Sequence, residues 1–282
     1  MALSLTRENF FWHKLHSLTG VVPVGYYMVQ HLVLNAFSLS GPEKFNGVID
    51  FFDSLPKGLL LVIEITMIWV PLAFHALYGI FIVERARLNY FDTPYKWSQN
   101  RMFTLQRFSG LFLFVFLIYH SLENTGAKYY RGDSNIVKFD AWHAQLTSYH
   151  FAWLVFYMVG VLAASYHLCY GLWNFCIRWG ITVSEAAQAR VQRFSLVAFL
   201  ALTLLGWGAL AGFLREPSPT GPQEAMRTIN SESSARRLVE LNPAGILETY
   251  RPTRLLLPDP NRLCHRLPSL QNGSRFARLE RA

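Results

Sequence analysis

Four histidines stand in apolar surroundings at positions 31, 75, 120 and 167, one in each of four long uncharged stretches. An imidazole facing lipid is costly, so polar side chains at such positions face a protein interior and carry function by default. Their depths differ. His75 lies nine residues before Glu84 and His167 eleven before Arg178, which at about 1.5 Å per helical residue is roughly 14–17 Å from that charged level. His120 follows Arg107 by thirteen residues and His31 follows Lys14 by seventeen, roughly 20–26 Å by the same rise. The four therefore sort into an inner pair, His75 with His167, and an outer pair, His31 with His120.

Two separated pairs argue against one four-histidine metal site, whose ligands must meet within about 2 Å of a single ion. Each pair suits a haem, a large apolar disc that takes axial ligands from facing helices in a bundle core. The chemistry expected is that of two stacked b-type haems. Gly25, Gly79, Gly110, Gly160 and Gly171 lie on the same four stretches and would let a disc approach the backbone. The carboxylates of an inner haem call for cationic or hydrogen-bonding partners, and His16, Ser17, Arg107 and Arg178 lie at about the required level. His13, His143, His150 and His265 read as interfacial or tail residues. Cys169, Cys176 and Cys264 lack metal-type spacing, and the first two read as packing residues.

The elements that must position these histidines are membrane helices. The 282-residue chain is 52% hydrophobic and only 16% charged, against about 25% charged in soluble domains. Uncharged runs over roughly 15–39, 58–83, 104–122, 150–177 and 194–214 approach the length of about 20 residues that a spanning helix needs. The fold class expected is all-α, a polytopic membrane protein built as a bundle of five antiparallel transmembrane helices over residues 1–214. Residues 215–282 hold eleven of the 26 basic residues and eight of the 13 prolines, and read as a poorly ordered extension. "SGPEKFNG", "DSLPKG" and "FDTPYKW" read as turns. Trp12, Trp97, Trp142 and Trp179 stand near span ends, where an aromatic belt is expected.

No cleavable secretion signal is expected, because the N-terminal stretch lacks a short apolar core ending in a small-residue cleavage site. With alternating spans, one side carries Arg7, Lys14, Arg85, Arg87, Lys96, Arg101, Arg107, Arg178, Arg190 and Arg193. The other carries Lys44, Lys57, Lys128, Arg131 and Lys138. This bias places the N-terminus in the cytoplasm and the C-terminus outside. The net charge of +8 reports topology and not a nucleic-acid partner.

The segments "LHSLTGVVPVGYYMVQHLVLN", "FFDSLP", "PLAFHALYGIFI", "LQRFSGLFLFVFLIYH" and "HLCYGLWNFCIRWGITVS", in this order between about residues 7 and 212, resemble the two-haem, five-helix cytochrome b558 subunits of succinate:quinone oxidoreductase. The resemblance implies a proximal haem b on His75 and His167 and a distal one on His31 and His120. It implies haem contacts at His16, Ser17 and Arg178, and an acidic residue of the distal quinone region at Asp53. Asp53 also reads as an N-cap of the second span, and the two roles are compatible. Glu64 reads as a solvated carboxylate or as a member of a proton path. The partners implied are a flavoprotein subunit, an iron–sulfur subunit, the lipid bilayer and a quinone, with menaquinone favoured. The location implied is a bacterial cytoplasmic membrane. The activity implied is that of the membrane subunit of a succinate dehydrogenase or fumarate reductase, succinate itself reacting in a partner subunit. A haem b subunit of a hydrogenase or formate dehydrogenase is the nearest alternative. A proton-coupled transporter is a more distant one, and the broken helices and repeats of such proteins are not seen.

Overall fold

The computed structural model describes residues 2–85 and 98–215, with side chains from Phe10 onward except at Lys57. The described residues form helices and turns, without a strand. They open with α1 (Ala2–Val21), α2 (Pro23–Asn35) and α3 (Pro42–Ser54). Four helices follow that are long and apolar enough to cross a membrane: α4 (Gly58–Arg85), α5 (Ser98–Arg131), α6 (Phe139–Arg178) and α7 (Glu185–Gly212). Because α4 and α6 end where α5 and α7 begin, Arg85, Ser98, Arg178 and Glu185 mark one end of the bundle, termed inner below. The expectation of an extension over 215–282 falls almost wholly outside the described residues, as do Trp97, Cys264, His265 and the turn "FDTPYKW".

The first expected span is divided at Val22 and Pro23. Proline lacks an N–H, so the helical ladder loses a bond there. The chain does not reverse. Val22 keeps helical dihedrals (φ −78°, ψ −67°), its N–H reaches the Leu18 carbonyl at 2.9 Å, and Tyr26 N reaches the Val22 carbonyl at 3.3 Å.

Apolar side chains such as Leu77, Val115, Val197 and Leu204 stay exposed along the four long helices, as expected of surfaces that meet lipid tails. The densest packing lies at the outer end, where Phe45, Phe116, Phe139, Trp142, Leu146, Tyr157 and Phe213 form a buried cluster. Aromatic edges and faces set its geometry, as in the 4.7 Å T-shaped pair of Phe45 and Phe213. Trp142 therefore belongs to the core and not to an interfacial belt: α6 begins at Phe139, earlier than its apolar run, and carries Trp142 under the outer loops. Trp12 and Trp179 are exposed as expected.

"SGPEKFNG" is a turn only at Gly41, whose φ of 98° suits glycine. Pro42 then opens α3, a first-turn position that proline favours. Phe45 and Ile49, four residues apart, pin α3 to the core. Just before it, the buried Ser38 hydroxyl donates to the Ala209 carbonyl at 2.7 Å and ties this connection to α7. Inside α6, Ser148 is extended (ψ 160°) and Tyr149, His150 and Phe151 are all left-handed. Each such non-glycine residue costs about 1–2 kcal/mol. This break coincides with the expected start of the fourth apolar stretch at 150. At the inner end, Gly180 (φ 70°) closes α6, and the Ser184 hydroxyl caps α7 by accepting from Ala187 N at 3.2 Å.

Candidate functional site

The bundle brings the four histidines together in two pairs. His75 of α4 and His167 of α6 face one another with ring centroids 6.2 Å apart and planes at 89°. His31 of α2 and His120 of α5 face one another at 5.8 Å and 77°. Among the described residues no group of three or more histidine, cysteine or acidic side chains is placed to hold one metal ion; the four histidines meet as two pairs, and the His16 ring lies against the inner one.

The inner pair is held on its Nδ1 side. His75 Nδ1 lies 2.9 Å from the His16 carbonyl, and since a carbonyl only accepts, that nitrogen carries the proton. His167 Nδ1 is in the same position, 3.2 Å from the Gln106 carbonyl and 3.2 Å from the Ser109 hydroxyl. Both rings therefore leave Nε2 as the free lone pair. Metal-binding histidines are oriented in this way by a carbonyl on the opposite nitrogen. Glycines make room for the rings. A Cβ on Gly20 would stand 2.2 Å from His75 Cε1, and one on Gly110 2.9 Å from His167 Cε1. Gln106 adds a second tie, donating from Nε2 to the His167 carbonyl at 3.1 Å.

The outer pair is held differently. Phe116 lies parallel to His120 (5.8 Å, 4°), and Tyr27 packs on His31 at 5.5 Å. Phe116 in turn occupies the space over Gly160, where a Cβ would meet Cε2 at 2.3 Å. Asn124, one turn beyond His120, donates to its carbonyl at 2.8 Å and approaches its Nδ1 at 3.3 Å. Asn124 also lines an outer cleft of about 410 Å³ with Tyr119, Glu123, Arg131, Gln145 and Trp153. The parallel rings of Tyr119 and Trp153, 5.1 Å apart, form one wall.

Both pairs fit a bis-histidine haem. Two metal–imidazole bonds of about 2 Å each place the two nitrogens about 4 Å apart across one iron, a separation within reach of rings whose centroids are 5.8 and 6.2 Å apart. His75 and His167 would hold one group and His31 and His120 the other.

The remaining expected site residues scatter around this frame. His16 stacks on His75 at 4.1 Å and 8°. The Ser17 hydroxyl is occupied, donating to the Lys14 carbonyl at 2.8 Å and accepting from Trp179 Nε1 at 3.1 Å. Arg178 is exposed. Asp53 does not cap a helix, because α3 runs on to Ser54 and the next helix starts after Pro56 without a side-chain cap. It pairs instead with Lys128 at the outer end. Partial burial raises the Asp53 pKa, but hydrogen bonds from Lys128 and Ser134, with the nearby Lys128 and Lys138 charges, outweigh it and hold the carboxyl below its ordinary value. Glu64 accepts from the Tyr129 hydroxyl at 2.8 Å on the exposed surface.

Gly20, Gln106, Ser109 and Asn124 were not legible as site residues. The spacing of Asn124 four residues after His120 places both on one helix face, and that was the one available signal. Gly20 and Gln106 act across helices, which no local pattern reports.

No protein-family model matches the chain. Over 207 residues, 73% of its length, it is 39% identical to the succinate dehydrogenase cytochrome b558 subunit of Bacillus subtilis (strain 168), and the match covers 98% of that protein. With its membrane helices and paired histidines, this chain belongs to the family of succinate dehydrogenase cytochrome b558 subunits.

Proposed function

We propose that this chain is the di-haem membrane anchor of a succinate:quinone oxidoreductase, linking an iron–sulfur partner to a membrane quinone. The observation that carries the reading is the meeting of His75 with His167 and of His31 with His120 as two separate facing pairs. Haem b bound at each pair would supply a one-electron iron centre. The residues' own part is to fix the imidazoles. The His16 and Gln106 carbonyls hold the inner rings as Nδ1–H tautomers, and Gly20 and Gly110 admit them to the bundle axis.

In this reading α1 and α2 form one span bent at Pro23, which completes five. The basic inner end faces the cytoplasm of a bacterium and receives the iron–sulfur subunit, which in turn carries the flavoprotein. The quinone, with menaquinone favoured, is taken up at the outer end. The polar and aromatic cleft beside Asn124 and the Asp53–Lys128 pair lie there.

The test is a pyridine-haemochrome assay on the complex purified with its partners. Two b haems per chain, with one lost in His75→Ala and one in His31→Ala, are expected. A folded complex without haem overturns the reading.

A further inference from the structure

The outer cleft joins the outer histidine pair to the exposed end of the bundle. Asn124, buried in its wall, meets His120 at the carbonyl and at Nδ1. Glu123, its neighbour in sequence, lines the same cleft and is exposed. Both belong to one wide π turn of α5 over Leu122–Gly126, and such turns gather at functional sites. Glu123 also stands four residues after Tyr119, a spacing that shares a helix face, and the Tyr119 ring forms the cleft wall with Trp153.

Among the described residues Glu123 is the one carboxylate that lines this cleft. Asp53, Asp50 and Glu64, also at the outer end, are engaged by Lys128, Lys138 and the Tyr129 hydroxyl. Glu123 forms no hydrogen bond or ion pair among the described residues, and neither does Arg131, the cation of the same cleft. A carboxylate and a guanidinium that share a cleft without pairing suit a ligand that takes up both a proton and negative charge. One wall residue of this cleft reaches the outer pair, and the next reaches water.

We propose that Glu123 is the catalytic acid of the outer cleft, passing protons from the outer medium to the oxygens of the quinone bound there. The assignment rests on the haem and quinone readings proposed above. Converting a quinone to its hydroquinone takes two electrons and two protons. The electrons are those the haem of His31 and His120 would supply singly, its ferrous iron becoming ferric. With each electron the Glu123 O–H bond breaks, an O–H bond forms on a quinone oxygen, and outer water returns a proton to the carboxylate. Arg131 stabilises the negative charge on that oxygen until the proton arrives. The role thereby moves away from Asp53, whose carboxylate is taken by Lys128.

The experiment uses the complex purified with its partner subunits, supplied with succinate and a short-chain naphthoquinone. In Glu123→Gln, turnover of the naphthoquinone is expected to fall about a hundredfold, the lower end of what a general acid supplies. Its equilibrium binding stays within threefold, and reduction of both haems by succinate stays within twofold. Asp50→Asn, the control, turns over within twofold of wild type. Turnover within twofold of wild type in Glu123→Gln overturns the assignment, as does an equal loss in Asp50→Asn or a fall matched by lost naphthoquinone binding. Should Glu123→Gln fail to accumulate, Glu123→Asp decides: a fall of threefold or more supports the assignment and no change overturns it. A wild-type complex whose reduced haems pass nothing to the naphthoquinone would sink the quinone reading itself, whereas full turnover in Glu123→Gln would sink this assignment alone.

Discussion

His75 donates from Nδ1 to the His16 carbonyl at 2.9 Å, while its ring lies flat on the His16 ring at 4.1 Å. One residue of α1 thus fixes both the tautomer and the plane of an imidazole on α4. Gly20, one turn further along α1, supplies the space the ring occupies.

Filling that space should therefore cost the inner site specifically. In Gly20→Val the added carbons meet a ring that cannot retreat without losing its hydrogen bond. Overpacking of this kind costs about 1–3 kcal/mol. The inner haem should be lost or low-yielding, seen as a fall from two haems toward one in the haemochrome assay. Gly47→Ala is the control: nothing lies within 4 Å of the Cβ, and a helical alanine should leave the complex equally or more stable.

The outer pair should respond to Gly160 in the same manner but through an intermediary. Phe116 fills the space over Gly160 and stacks on His120. In Gly160→Val the Phe116 ring is driven toward His120. The expected result is a displaced outer-haem spectrum with the inner one unchanged; a change confined to the inner haem would contradict the packing described above.

These effects show what the sequence could and could not reveal. The pairing of His75 with His167 and of His31 with His120 was legible from depth alone, because a helix converts residue count into height. The break near residue 150 was not legible, although it falls where the fourth apolar run begins. Nor was the division at Pro23, since apolar composition continues across it. α3 was hidden because Gly41 and Pro42 read as a turn although proline there opens a helix. Gly20 and Gln106 were hidden because their partners, His75 and His167, lie on other helices. Asp53 offered two roles, and the capping role failed because α3 continues one residue beyond it.

The Asp53–Lys128 pair carries a pH dependence. The folded-state pKa of Asp53 is lowered, so its contribution to stability is fully present above the ordinary carboxylate value of about 3.9 and is lost as pH falls through the lower folded value. Asp53→Asn should lower the thermal midpoint slightly at pH 6, because the pair is solvent-screened. The difference from wild type should shrink as pH falls below the ordinary carboxylate value and vanish once pH lies below the lowered folded value. A difference that grows toward low pH would contradict the pairing.

If the inner end faces the cytoplasm, an electron moving outward is assisted by about 2.3 kcal/mol per 100 mV for a full crossing. Collapsing the membrane potential should then slow succinate oxidation by intact membranes while leaving the detergent-solubilised complex unaffected. An unchanged rate in membranes would remove the coupling.

The most direct measurement of the central claim is haem stoichiometry across the four histidine variants, each purified with its partner subunits and paired with a reduced-minus-oxidised spectrum. Two b haems in wild type are expected, with the same one lost in His75→Ala and His167→Ala, and the other lost in His31→Ala and His120→Ala. A single haem in wild type, or loss of the same haem in His31→Ala and His75→Ala, would contradict the two-pair account.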